Sequence, residues 1–264
     1  MEEHDFPKKG EKAFERFYSA VWGQRWPLLR EALLQESAPQ GMGEGVLLQP
    51  YYLDTASRLA AELLPVSPGD KVLDLCAAPG GKTLILAQKL KGEGTLVSNE
   101  LSSARRERLK RVLRDHLPDL WQKAVSVTGK DATRWGLYQK EIYDAVLLDA
   151  PCSSERHVLH SPKHLNLWSP HRTKTLAQQA VALLCSALET VKTGGYVLYA
   201  TCSISPEENQ GALEKFRKKR PGRWAEVPLS QAIGERQSWG YLILPDTHQG
   251  QGPLFFCLWQ KLAP

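Results

Sequence analysis

Two thiols sit in settings so alike that they point to a shared role: Cys152 in Leu148-Asp149-Ala150-Pro151-Cys152-Ser153, and Cys202 in Tyr199-Ala200-Thr201-Cys202-Ser203. Each follows an apolar run ending in a small polar turn. That is the pattern of a side chain held at the carboxyl end of a strand, where open α/β sheets keep their ligands. Both thiols are therefore expected to face one pocket. A third segment, Val72-Leu73-Asp74-Leu75-Cys76-Ala77-Ala78-Pro79-Gly80-Gly81-Lys82-Thr83, reads as strand, glycine turn and helix start, a usual place to hold a nucleotide-like cofactor. Thiolates are nucleophiles, so two of them beside such a loop suggest covalent chemistry on a group that receives something from the cofactor.

The elements that must position these residues alternate in the manner of a parallel sheet with crossover helices. Strands are expected at 71–75, 95–99, 124–127, 145–148 and 196–200, and helices at 103–116, 173–190 and 206–218. This predicts an α/β, doubly wound, Rossmann-like sheet, with 240–244 and 254–259 as an antiparallel pair closing one edge. Apolar residues at helical spacing over 11–35, interrupted at Trp26-Pro27, predict two short helices, and 38–45 is a linker by composition. The expected division is a small helical lobe and linker over 1–45 and the main domain over 46–264.

A glycine turn opening a helix leaves backbone N–H groups for a ligand, a role expected of Gly80 and Gly81. Glu100 ends the second strand twenty residues after Gly80, where an acidic side chain can accept from both hydroxyls of a ribose. Gly81-Lys82-Thr83 mimics the end of a P-loop, but the first glycine of that loop is replaced by Cys76; the spacing for a nicotinamide cofactor is also missing. S-adenosylmethionine remains, with Asp131, at the end of the third strand, placed to accept from the adenine amino group. The plain alternative is that Glu100 and Asp131 are strand-end and helix-cap carboxylates.

These segments, from Asp74 through Thr83, Glu100 with Arg105, Asp131, Asp149 through Ser153 and Thr201 through Ser203, resemble in order the RNA (cytosine-5) methyltransferases of the Sun/nucleolar-protein type. The layout is most similar to the mitochondrial rRNA branch and its bacterial relatives. The resemblance implies a class I methyltransferase sheet that binds S-adenosylmethionine through Cys76, Ala77, Ala78, Pro79, Gly80, Gly81, Lys82, Glu100, Arg105, Asp131 and Asp149. It implies that Cys202 attacks carbon 6 of cytosine, that Asp149 reads the base edge, and that Cys152 assists release of the enzyme. In related DNA enzymes the Pro-Cys thiol attacks instead, so an exchange of the two roles stays open. The implied partner is RNA, rRNA first and tRNA next, recognised by the catalytic face, the small lobe or a targeting protein. A monomer is expected. The rivals are a methyltransferase acting on DNA or protein and a catalytically silent RNA-binding or assembly factor on the same fold.

Bulk properties narrow the field less. With 264 residues, 42% hydrophobic and 24% charged, the chain can bury a full core. No apolar stretch approaches the roughly 20 residues of a membrane span, and the acidic start Met1-Glu2-Glu3-His4-Asp5 resembles neither a secretory signal nor a transit peptide. A cytoplasmic location with no membrane partner is expected. Five cysteines without a CxxC pair argue against a disulfide framework or zinc site, and Cys76, Cys185 and Cys257 lie in apolar runs that read as core. The net charge of +5 is compatible with a nucleic-acid partner without requiring one. Arg105 to Arg111 form a basic run whose apolar face, Leu109, Val112 and Leu113, should pack on the sheet. A second basic run, 216–223, suits phosphate contact or plain solvation equally. His157, His160, His164 and His171 fall in a proline-containing segment that reads as a loop, with no His-Glu-x-x-His frame and no metal assigned. With Arg156, Lys163 and Arg172 they suggest a loop over the target base and its phosphates.

Overall fold

The computed structural model describes residues 9–36, 39–229 and 233–264. Helices α1 (Glu11–Trp22) and α2 (Trp26–Leu34) flank a short 3-10 turn, and Pro27 stands at the start of α2, where a missing N–H costs no helical bond. Most of the stretch expected as a linker forms a hairpin, β1 (Gln40–Met42) pairing antiparallel with β2 (Tyr51–Leu53); Ala38 lies outside the described residues. Helix α3 (Thr55–Leu63) follows, capped by Asp54, whose Oδ1 accepts from the N–H groups of Ala56 and Ser57, a cap worth about 1 kcal/mol. The main alternation is β3 (Lys71–Asp74), α4 (Gly81–Leu90), β4 (Thr95–Asn99), α5 (Ser103–His116), α6 (Asp119–Gln122), β5 (Val125–Thr128), α7 (Trp135–Tyr138) and β6 (Tyr143–Asp149). It continues through α8 (Glu155–Leu159), α9 (Pro162–Leu167), α10 (Pro170–Thr190), β7 (Val191–Thr201) and α11 (Gln210–Lys219). The chain closes with β8 (Trp224–Glu226), β9 (Glu235–Arg236), β10 (Tyr241–Ile243) and β11 (Leu254–Lys261).

The main sheet runs β5-β4-β3-β6-β7-β11-β10-β9, with β8 on β11. Its first five strands are parallel, and β11 enters antiparallel between β7 and β10. Counting the parallel strands in chain order gives 3-2-1-4-5. The direction of winding reverses between β3 and β6, and a crevice must open there at the carboxyl ends. Leu73 pairs with Val146 and Leu147 with Leu198, and all four are fully buried. Helices cover both faces, so these strands are continuous apolar runs rather than alternating ones. One face packs Val146, Leu148, Val197 and Tyr199 against Phe14, Tyr18, Trp26, Leu29 and Leu184; the N-terminal helices thus share a core with the sheet. The other face packs Leu96, Leu147 and Leu198 against Ala60, Leu84, Leu109 and Leu113. Leu109 and Leu113 thereby anchor α5 and leave its arginines outward.

Three further elements differ from expectation. The segment 155–171 is helical, not a loop, because its prolines are helix starts: Pro162 follows the Ser161 cap of α9, and Pro170 opens α10. β7 begins at Val191, since Val191 pairs with Tyr143 before the register shifts to Ala145–Tyr196, and Gly194 and Gly195 are absorbed in that irregularity. α11 starts at Gln210 rather than 206, because the preceding residues form turns in which the Glu208 N–H donates to Ser205 O and the Gly211 N–H to Pro206 O. Among the described residues no helix is long and apolar enough to cross a membrane.

Candidate active site

The ends of β6 and β7 are tied by a bond from the Ala150 N–H to Ala200 O, 2.8 Å long. The loops that leave them carry the two thiols side by side. Cys152 Sγ lies 3.1 Å from Cys202 Sγ, and Ser154 Oγ lies 3.1 Å from Cys202 Sγ and 3.5 Å from Cys152 Sγ. All five cysteines are free; Cys202 is exposed and Cys152 half-buried. Cys257 is core, whereas Cys76 and Cys185 are only half-buried, which corrects their reading as core residues. Ser154 adopts φ +55°, a left-handed conformation that a non-glycine residue holds only where its surroundings impose it.

The environment separates the thiols. The hydrogen bond from Cys152 lowers the pKa of Cys202 against the opposing effect of burial, with Ser154 and Lys82 helping and Asp149 opposing. The same bond, reinforced by burial, pushes Cys152 well above the ordinary thiol value. Cys202 is thus the thiol that ionises first, and Cys152 is the donor across the pair. Beside them Lys82 Nζ donates to Asp149 Oδ2 at 2.7 Å. Burial, the largest single influence, disfavours the charge of Lys82, but Asp149 together with Cys202 and Asp74 outweighs it and raises the lysine.

Cys76, Ala78, Pro79, Arg105, Asp149, Cys152 and Cys202 line one cavity of about 730 Å³, together with His157, His164, Trp168 and Arg172. The switch-point crevice therefore gathers both thiols and part of the expected cofactor segment. Ala77, Gly80, Gly81, Lys82 and Glu100 stand outside that lining. A Cβ at Gly80 would meet Leu109 and Val112 at 3.0 and 3.1 Å, and one at Gly81 would meet Tyr51 at 2.7 Å. The packing of α5 and β2 thus leaves no room for a side chain at either glycine. Arg105 is not merely solvated: its guanidinium donates to Ala78 O at 2.9 Å and lies 3.4 Å from Glu100 Oε2, joining the turn to the end of β4. Asp131 caps the turn after β5 by accepting from the Thr133 N–H and Oγ1, and it lines a separate recess of about 450 Å³ with Trp135 and Tyr138.

The residues present suit an adenosyl amino-acid ligand. Asp74 is buried at the end of β3; Thr83 Oγ1 satisfies its Oδ2, while its Oδ1 is buried without a partner and can take a donor. Burial raises this carboxyl to about 7. Of the histidines, His157 and His164 face each other with ring centroids 4.9 Å apart, whereas His160 turns to Leu33 O. No group of three or more metal-type ligands gathers among the described residues. Sequence reasoning missed Ser154, Trp168, Glu155 and Glu208. The acidic residues were visible in Cys152-Ser153-Ser154-Glu155 and in Glu207-Glu208-Asn209 shortly after Cys202, but nothing in their spacing shows that they turn inward.

Strand order, switch-point crevice and paired thiols define a Rossmann-like fold of the methyltransferase class. Within that class the chain belongs to the family described as 16S rRNA methyltransferase RsmB/F, whose model matches residues 61–259. It is 37% identical over 244 residues to the 5-cytosine rRNA methyltransferase NSUN4 of Bos taurus, covering 83% of this chain and 61% of that protein. It is 36% identical over 230 residues to the mitochondrial tRNA (cytosine(34)-C(5))-methyltransferase of Danio rerio, covering 83% and 62%. The crystal structure of NSun6 from Pyrococcus horikoshii with SFG is similar with a TM-score of 0.70 and 25% identity, over 82% of this chain and 54% of that one. The chain spans about three-fifths of the length of these two curated relatives.

Proposed function

We propose that the protein methylates carbon 5 of cytosine in RNA, using S-adenosylmethionine, with Cys202 as the nucleophile. The observation that carries this reading is the pair of thiols 3.1 Å apart at the switch-point cavity, the exposed one made more acidic by the other. Carbon 5 of cytosine is a weak nucleophile until a thiolate adds to carbon 6. Cys202 supplies that thiolate: the S–C6 bond forms, and the C5=C6 electron pair makes carbon 5 enamine-like. S-adenosylmethionine, when bound, offers carbon 5 an electrophilic methyl group. Asp149, with Oδ2 fixed by Lys82, reads the base edge at N3 and N4 and favours cytosine over uracil. Loss of the carbon 5 proton, aided by Cys152, re-forms the C5=C6 bond, breaks S–C6 and returns the electron pair to Cys202. Cys76 to Lys82, Glu100, Arg105 and Asp131 would hold the methyl donor, with Asp74 Oδ1 as a further acceptor. The family description and the name of the Bos taurus relative support rRNA as substrate; the name of the Danio rerio relative supports tRNA second.

Comparing Cys152→Ala with Cys202→Ala on rRNA and tRNA fragments tests the assignment. Cys152→Ala is expected to accumulate a covalent protein–RNA adduct and lose about 100-fold or more in turnover; Cys202→Ala forms no adduct. The reverse pattern exchanges the roles. Absence of methyl transfer by the reduced wild type leaves the silent RNA-binding factor, or a methyltransferase acting on DNA or protein.

A further inference from the structure

Behind the two cysteine loops lies a buried acidic pair that the chemistry above does not use. Glu155, at the start of α8, is fully buried, and Glu208, in the turn before α11, is 1% exposed. Glu155 Oε1 accepts from the hydroxyls of Tyr18 and Ser153 and, at 3.1 Å, of Ser203; its Oε2 accepts from the Ile204 N–H at 3.0 Å. Glu208 Oε2 accepts from the Ser153 N–H at 2.8 Å, and its Oε1 lies 2.5 Å from Ser153 Oγ and 3.3 Å from Ser203 Oγ. Ser153 directly follows Cys152, and Ser203 directly follows Cys202, so each carboxyl group bonds to both thiol loops.

The Ser153 hydroxyl has one hydrogen, yet its oxygen is in hydrogen-bond contact with a carboxyl oxygen of each glutamate. A single hydrogen cannot make two full hydrogen bonds, and a proton on a carboxyl group would complete the second. We infer that Glu155 and Glu208 form a positioning pair that shares one proton through Ser153 and holds the Cys152 and Cys202 loops with their sulfurs facing. The inference rests on the two-thiol reading above. Burial, followed by the charge of Glu155, raises Glu208 to about 8, which keeps the proton in place at neutral pH. The titratable groups facing Glu208 are Glu155 from α8, Tyr18 from α1, Cys152 from the neighbouring loop and Tyr199 from β7. Loss of the proton places two like charges side by side with no lysine or arginine among these groups, and the loops lose their alignment.

The test measures how fast diamide closes a disulfide between Cys152 and Cys202 in the RNA-free protein. Diamide takes up the two electrons and two protons the thiols release, and closure reports how often the sulfurs meet. Glu208→Ala should close about tenfold more slowly than wild type. Glu208→Gln, whose amide can replace a protonated carboxyl group, should recover to within about threefold at pH 7. The ratio of Glu208→Gln to wild-type rate should then rise by about fivefold between pH 7 and 9, because only the wild type loses a proton there. A Glu208→Ala that folds and closes at the wild-type rate, a Glu208→Gln as slow as the alanine variant, or a ratio flat with pH overturns the inference. If Glu208→Ala fails to fold, the Glu208→Gln ratio decides alone. The assay uses neither RNA nor methyl donor, so a wild type that methylates no RNA defeats the proposed function while the ratio still reads the pair.

Discussion

Lys82 and Asp149 bring opposite charges to 2.7 Å beside the exposed thiol of Cys202. The lysine has two effects there. It stabilises the Cys202 thiolate directly, and it offsets Asp149, whose negative charge opposes that thiolate. Replacing Lys82 with methionine keeps most of the side-chain volume, removes the cation and leaves the carboxylate uncompensated. The Cys202 pKa is then expected to rise, which slows alkylation by iodoacetamide near pH 7.5. Mass spectrometry of the alkylated protein across a pH series reads this directly. An unshifted profile would mean that the bonds from Cys152 and Ser154 set its acidity without the lysine.

The turn from β3 into α4 determines where α5 can sit. Gly80 adopts φ +121°, and a methyl group there would press on Leu109 and Val112 of α5. Gly80→Ala thus combines a strained backbone with overpacking and is expected to cost about 1–3 kcal/mol in urea unfolding. It should also weaken S-adenosylmethionine binding by calorimetry, because α5 carries Arg105 to Ala78 and Glu100. Stability and binding both unchanged would refute this account of the glycine. The same turn shows how far sequence carries. Asp74 to Thr83, the apolar runs of β3, β4, β6 and β7, and the two cysteine turns were legible because periodicity and local turn chemistry place them. What was not legible depends on contacts distant in the chain: Tyr18 meets Glu155 from 137 positions away, and Glu208 reaches Ser153 across 55. Prolines 162 and 170 misled because a helix start and a loop use the same residue.

Across the whole molecule, buried acids and half-buried ion pairs pull stability in opposite directions with pH. Arg25, in the turn between α1 and α2, bonds both Glu235 and Asp246, joining the N-terminal helices to the C-terminal strands. Its bond lowers the Glu235 pKa, so that contribution is present above the ordinary carboxyl value of 4.5 and is lost as pH falls. Glu208 and Asp74 behave oppositely: burial raises them from 4.5 to about 8 and from 3.8 to about 7. The folded protein binds their protons more tightly than the unfolded chain. Their contribution is therefore complete below the unfolded values and fades as pH rises through 7 to 8. Stability should peak in mild acid and decline toward pH 8, each buried acid adding up to about 1.4 kcal/mol per pH unit to the slope. Glu208→Gln removes one of the two titrations. Its urea midpoints at pH 5.5, 6.5, 7.5 and 8.5 should accordingly fall less steeply than those of the wild type. Parallel curves would show that Glu208 binds its proton no more tightly when folded, and the shared proton behind the two thiol loops would lose its thermodynamic support.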